Sequence, residues 1–177
     1  MITRPIETGD WEEMHVLYAD PGVWEHQPSG VFTSVGQTKA LVEFFVNGWR
    51  DDGLSNWAAF TDDGVFVGHG GARLLHDRVA WNIGYRVHRE HWHRGYGSAL
   101  AREGVAAAQA ADSTVPVTAK LLERNEASRR TAESAGLELV WRGRDLGNAD
   151  ETAVRLVYAD RELDETTLRA HTHSFMR

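Results

Sequence analysis

The chain contains no cysteine, which removes disulfides, thiolate nucleophiles and zinc–sulfur sites at once. Nor does it hold an apolar run of the roughly 18 to 20 residues that a membrane span needs. The opening MITRPIETGDWEE has no basic stretch followed by an apolar one, so no secretory signal is read and a cytoplasmic protein is expected. Basic residues are in deficit: 19 Lys and Arg face 26 Asp and Glu, a formal net charge of −7. Nucleic-acid binders need a basic footprint to displace counterions, so that class is set aside. An acidic surface suits a cationic small molecule or a basic peptide better. No repeat or low-complexity linker interrupts the 177 residues, a length that fits one domain with a sizeable core.

What is abundant is tryptophan, with 7 residues whose default place is the core or a pocket wall. Residues 2–6 alternate like a short strand. Asp10 with Glu13, and Ser34 with Gln37, have capping-box spacing and predict two helices, the first ending near Ala19 and the second before Gly53. The hydrophobic period then changes. Residues 57–61, a turn at Asp62-Asp63-Gly64, residues 65–75, a turn at 76–78 and residues 79–87 predict an antiparallel meander. A helix follows over 98–111, then a strand over 115–122 and a helix over 125–135 closed by Gly136 in a left-handed cap. Two strands, 137–144 and 152–159, flank a turn at Gly147-Asn148. Residues 1–160 read as one domain and 161–177 as a peripheral polar tail. The order is β-α-α-β-β-β-α-β-α-β-β, an α+β chain with one mixed sheet. A right-handed crossover through the 98–111 helix leaves its flanking strands parallel.

The most informative stretch is HWHRGYGSAL, residues 91–100, between a strand-like and a helix-like run. Two glycines there allow a tight turn and close backbone approach to a ligand. The first helical turn then offers unpaired N–H groups and the positive end of its dipole. Arg94 adds a permanent cation, and the combination reads as a pyrophosphate cradle. A classical dinucleotide loop explains it less well, since Leu100 stands where a third glycine belongs and hairpins precede the loop. No P-loop motif is present. His88, His91 and His93 match no standard metal spacing, so no metal is expected.

These residues resemble the GCN5-related N-acetyltransferase (GNAT) family, and within it the branch that includes ribosomal-protein N-terminal acetyltransferases. Trp92-His93-Arg94-Gly95-Tyr96-Gly97-Ser98-Ala99-Leu100 is similar to the acetyl-CoA signature (Gln or Arg)-x-x-Gly-x-(Gly or Ala), with Trp92 in the leading position. Asn125-Glu126-Ala127-Ser128, followed by Glu133-Ser134-Ala135-Gly136-Leu137, resembles the family's Asn-x-x-Ser and Glu-x-x-Gly-Phe. Ile2-Thr3-Arg4-Pro5 with Asp10 is similar to the opening of such domains.

The resemblance implies a mostly antiparallel sheet flanked by helices, with a splayed parallel pair at the cofactor site. It implies acetyl-CoA as co-substrate, bound by the main chain of Tyr85, Val87 and His88 and by His93, Arg94, Gly95, Tyr96, Gly97 and Ser98. The Val87 N–H would polarise the thioester carbonyl, Asn125 would orient the pantetheine, and Ser128 would donate to the sulfur. The acceptor would be an amine, a protein N-terminus or a small molecule, met by Trp24, Glu25, His26 and Phe32; a homodimer is common in such families. The sequence departs from the pattern where relatives carry an acidic Tyr (here Ala132) and a base Glu (here Trp81 and Lys120). Glu123, Glu25, His26 and water chains remain open as the base. Two other readings stay open: a catalytically degenerate acyl-CoA-binding module, and a flavin or nicotinamide protein using the same loop.

Overall fold

The computed structural model describes residues 1–146 and 148–172. Strands form where apolar and β-branched residues alternate: β1 (Ile2–Pro5), β2 (Asn56–Phe60), β3 (Phe66–Leu74), β4 (Trp81–Val87), β5 (Val117–Leu122), β6 (Glu138–Arg144) and β7 (Val154–Ala159). The helices are α1 (Trp11–Ala19), α2 (Val35–Asp52), α3 (Tyr96–Ala111), α4 (Glu126–Ser134) and α5 (Glu165–Thr172). The strands make one 7-stranded sheet in the order β1-β2-β3-β4-β5-β7-β6. Every neighbouring pair is antiparallel except β4–β5, the pair joined through α3. The α+β architecture and the parallel pair are therefore as the sequence implied. Its last hairpin carried no sign that β7 would insert between β5 and β6.

Each face of the sheet is covered. Ala101, Val105 and Ala108 of α3 pack with Ala72, Ile83, Ala119 and Leu121, and Ala132 of α4 joins the same cluster. Met14 and Leu17 of α1 pack with Val42 and Phe45 of α2 on the opposite side, against Ala58. Small residues bring α3 close to the sheet. A Cβ on Gly104 would sit 3.1 Å from the Gly71 carbonyl carbon and oxygen, and one on Gly70 would meet the Leu100 Cβ at 2.8 Å.

The helix caps follow the sequence in part. The Ser34–Gln37 capping box forms as expected, and Gly136 takes φ 85° after α4. Asp10 does not cap α1 in a box with Glu13. Its carboxylate instead accepts the Glu7 N–H (2.8 Å) and pairs with Arg4 (2.6 Å), a charged partner that outcompetes a lone amide. The segment expected as a polar tail carries α5, in which Thr167 and His171 are buried. The expected turn at Gly147 and the end of the chain, 173–177, lie outside the described residues.

Candidate active site

The loop before α3 is wound by left-handed residues, His93 at φ 60° and Gly95 at φ 82°. Gly95 is the N-cap, and no side chain caps the helix there. The first amide bonded back into the helix is Ala99, which donates to the Gly95 carbonyl at 2.9 Å. The N–H groups of Tyr96, Gly97 and Ser98 therefore have no intrahelical acceptor and sit at the positive end of a 16-residue helix. His93, Arg94 and Gly95 are exposed, and Tyr96, Gly97 and Ser98 half-buried. Free N–H groups at the positive end of a helix dipole are a site that can hold an anion.

Beside it the sheet parts. β4 and β5 pair only at Trp81–Val117 and Asn82–Thr118, so residues 83–87 of β4 run on with no ladder partner on that edge. The His88 N–H donates to Val67 of β3 (2.9 Å), so alternation turns the main-chain groups of Val87 and Tyr85 toward the gap. The Trp92 indole donates to the Val87 carbonyl at 2.8 Å, an anchor the sequence did not disclose. Across the gap, α4 begins at Asn125, whose side-chain oxygen accepts the Ser128 N–H (3.0 Å). The Tyr85 hydroxyl donates to the Ser128 carbonyl (3.0 Å), tying the two sides of the gap together. Both main-chain groups of Ser128 are thus held, and the residue lines a cavity with Asn125, Gly84 and Tyr85.

That cavity, about 310 Å³, opens on the face of α1 and α2. Its floor is a buried chain: Asn56 Nδ2 donates to His69 Nδ1 (2.9 Å), which leaves the ring proton on Nε2 to donate to the Tyr18 oxygen (2.9 Å). Burial and the nearby Arg86 push His69 down to about 3, so the ring is neutral. Burial, Arg86 and Arg124 push His26, at the rim, down to about 4. Arg86 lies 3.5 Å over the Trp24 ring and 5.2 Å from the Tyr18 ring. Tyr18, His69 and Arg86 were missed by sequence reasoning. For His69 and Arg86 the signal was available in the polar residues at alternate positions of β3 and β4, His69 with Arg73 and Asn82 with Arg86.

Of the acceptor residues expected from sequence, His26 lines the cavity and the other three do not. Trp24 is a core residue whose indole donates to the Tyr18 carbonyl at 2.9 Å. Phe32 packs against the same cluster, its ring 4.7 Å from that of Tyr18. Glu25 points outward, 3.9 Å from Arg89. Of the candidate bases, Glu123 is held by Arg142 at 2.6 Å, which keeps its carboxyl below its usual range. Among the described residues no group of three or more His, Cys, Asp or Glu is placed to hold a metal ion. No described helix is long and apolar enough to cross a membrane.

The acetyltransferase (GNAT) domain model matches residues 1–138. No curated protein matches the chain. Among solved structures, RimL, a ribosomal alpha-N-protein acetyltransferase in complex with coenzyme A, superposes with a TM-score of 0.73 at 18% identity, over 92% of this chain and 93% of that one. A ribosomal-protein-alanine N-acetyltransferase from Brucella melitensis gives a TM-score of 0.70 at 17% identity, over 92% of this chain and 100% of that one. A variant of the spermidine N-acetyltransferase SpeG from Vibrio cholerae gives 0.69 at 11% identity, over 99% of this chain and 100% of that one. At such identities the likeness is one of fold.

Proposed function

The chain belongs to the GNAT family of acetyltransferases, and on that premise we propose that it moves the acetyl group of acetyl-CoA to a primary amine by direct attack in a ternary complex. The observation that carries this reading is an uncapped helix N-terminus beside the gap where β4 leaves β5. In it the amides from Arg94 to Ser98, with His93 and Arg94 alongside, hold the pyrophosphate. The gap-facing main chain of Tyr85 and Val87, with His88 next to it, pairs with the pantetheine. The Val87 N–H then stabilises the oxyanion of the tetrahedral intermediate, a donor of a kind typically worth about 2.7–4 kcal/mol.

As the nitrogen–carbon bond forms and the carbon–sulfur bond breaks, the amine must lose a proton and the thiolate gain one. Ser128, fixed by Asn125 and Tyr85, is the donor to the sulfur. Asn125, one face of its amide engaged by the Ser128 N–H, turns the other toward the cofactor arm. His26 is neutral at pH 7 and lines the cavity, so its ring can accept a hydrogen bond from the amine or from a water beside it, while the proton itself leaves through water. With no cysteine in the chain, a thiolate-bound acetyl intermediate is excluded. A degenerate binding module would not need a held Ser128 at the end of the gap, and that reading is not favoured.

Calorimetry with CoA and with the Gly97→Leu variant tests the proposal. A Cβ at Gly97 meets only Tyr85, at 3.9 Å, so the variant folds while its side chain fills the approach to the amides. Wild-type protein should bind CoA and release thiol from acetyl-CoA when amines are supplied, and the variant should do neither. Unchanged CoA affinity in the variant would sink the assignment of the loop.

A further inference from the structure

The cavity on the acceptor side is cationic, although the chain as a whole carries −7. Four cations line it, Arg73, Arg86, Lys120 and Arg155, and among the described residues no Asp or Glu does. Of the four, Arg155 is paired, with Asp145 at 2.5 Å, and that carboxylate is occupied further by Asn148 at 3.1 Å. Arg73 has no carboxylate within ion-pair distance among the described residues; its guanidinium lies 5.3 Å over the Phe44 ring. Arg86 is sandwiched by Trp24 and Tyr18, and its Nε is buried without a hydrogen-bond partner among those residues. Lys120 is half-buried and likewise has no ion-pair partner among them. Burial lowers Arg73, Arg86 and Lys120 from their usual values, and Arg155 and Arg73 lower Lys120 further, against an opposing pull from Asp145.

These charges face away from the cofactor cradle. Ile83, Ala119 and Leu121 pack with α3, so the alternate residues Asn82, Arg86 and Lys120 point to the other side of the sheet. Lys120 follows the last β4–β5 pair, at the edge of the gap, and Arg73 pairs in register with Asn82 just across β4. Unpaired cations gathered in a half-buried cavity cost solvation and repel one another unless an anion joins them. A polyamine would meet like charge there.

Resting on the proposed transfer of acetyl to an amine, the geometry points to an acceptor that is a small amine bearing a carboxylate or phosphonate on the same molecule, its anion held by Arg73 and Lys120 while its amine reaches the gap beside Gly84. Arg73 gives the anion a two-pronged partner and Lys120 a point charge. The expectation from overall charge, that a cationic partner suits this protein, is not supported by the lining of this cavity, which carries four cations and, among the described residues, no carboxylate.

The test uses free L-amino acids, the same amino acids as carboxamides, 1-aminoalkylphosphonates and spermidine. Thiol release from acetyl-CoA measures turnover, and calorimetry on CoA-saturated protein measures binding without it. Free amino acids or aminophosphonates should exceed the carboxamides about tenfold or more in kcat/KM, chiefly through KM, and in affinity; whichever anion is preferred identifies the headgroup. Arg73→Gln and Lys120→Gln should each shrink the ratio between acid and amide. Preference for carboxamides or spermidine, or a ratio that neither variant alters, would overturn the inference. If CoA binds and no amine is acetylated, the proposed function fails, while the binding comparison still decides whether the cavity takes an anion.

Discussion

Gly95 and Gly97 stand in one loop, yet a side chain costs something different at each. Gly95 sits at φ 82° with open space around it, so Gly95→Ala strains the backbone by about 1–2 kcal/mol without a clash. Urea denaturation should show that loss together with weakened CoA binding, whereas Gly97→Leu should lose CoA binding alone. Ser128 calls for the opposite pattern. Its hydroxyl is assigned to the departing sulfur, so Ser128→Ala should lower kcat by about 10²-fold and leave the Kd for CoA nearly unchanged. Affinity falling further than turnover would make Ser128 a packing residue. Trp92→Phe keeps the ring and deletes the indole donor to the Val87 carbonyl, at a cost of about 1 kcal/mol by the same denaturation assay.

Contact between α3 and β3 depends on glycine rather than on large apolar side chains. Gly104 lies over Gly71, and a longer side chain there must displace backbone, so Gly104→Leu should destabilise by about 1–3 kcal/mol or more, read from the urea midpoint. This helix is also the element whose first turn faces the gap, so its seat on the sheet sets the position of the anion cradle. A period of 3.6 in 98–111 and a period of 2 in β2 to β4 make these elements legible in the amino-acid sequence. Their ends are less so, with α3 starting at Tyr96 rather than Ser98. The place of β7 is not legible at all. A hairpin can join a sheet by either strand, and what decides here is Leu156 and Tyr158 packing with the α3 and α4 cluster, a long-range choice.

Protonation ties these parts to the stability of the fold. His69 is held down to about 3, and His26 and His171 to about 4, burial being the largest cause for each. In the unfolded chain these rings titrate near 6.5. Below that value the unfolded chain therefore binds protons that the native one refuses. Native stability is fully present above pH 6.5 and drains away as pH falls through 4 toward 3. Scanning calorimetry from pH 7.5 to 4 should show a falling Tm, and His69→Gln should flatten the slope. The same buried histidine shows why the site is only half legible in the sequence. The proposed pyrophosphate cradle is one contiguous segment, 91–100, whose chemistry local reading can recover. The cavity proposed for the acceptor draws its lining from α1, α2, β2, β3, β4, β5 and β7, and only the folded sheet brings Tyr18, His69, Arg73, Lys120 and Arg155 together. β4 and β5 cease to pair after Asn82, and on the proposed function acetyl-CoA would approach from the head of α3 and the amine from the cavity lined by α1 and α2. Neither visitor blocks the other's entrance, so initial-rate lines should intersect whichever substrate is varied, and each should form a binary complex on its own.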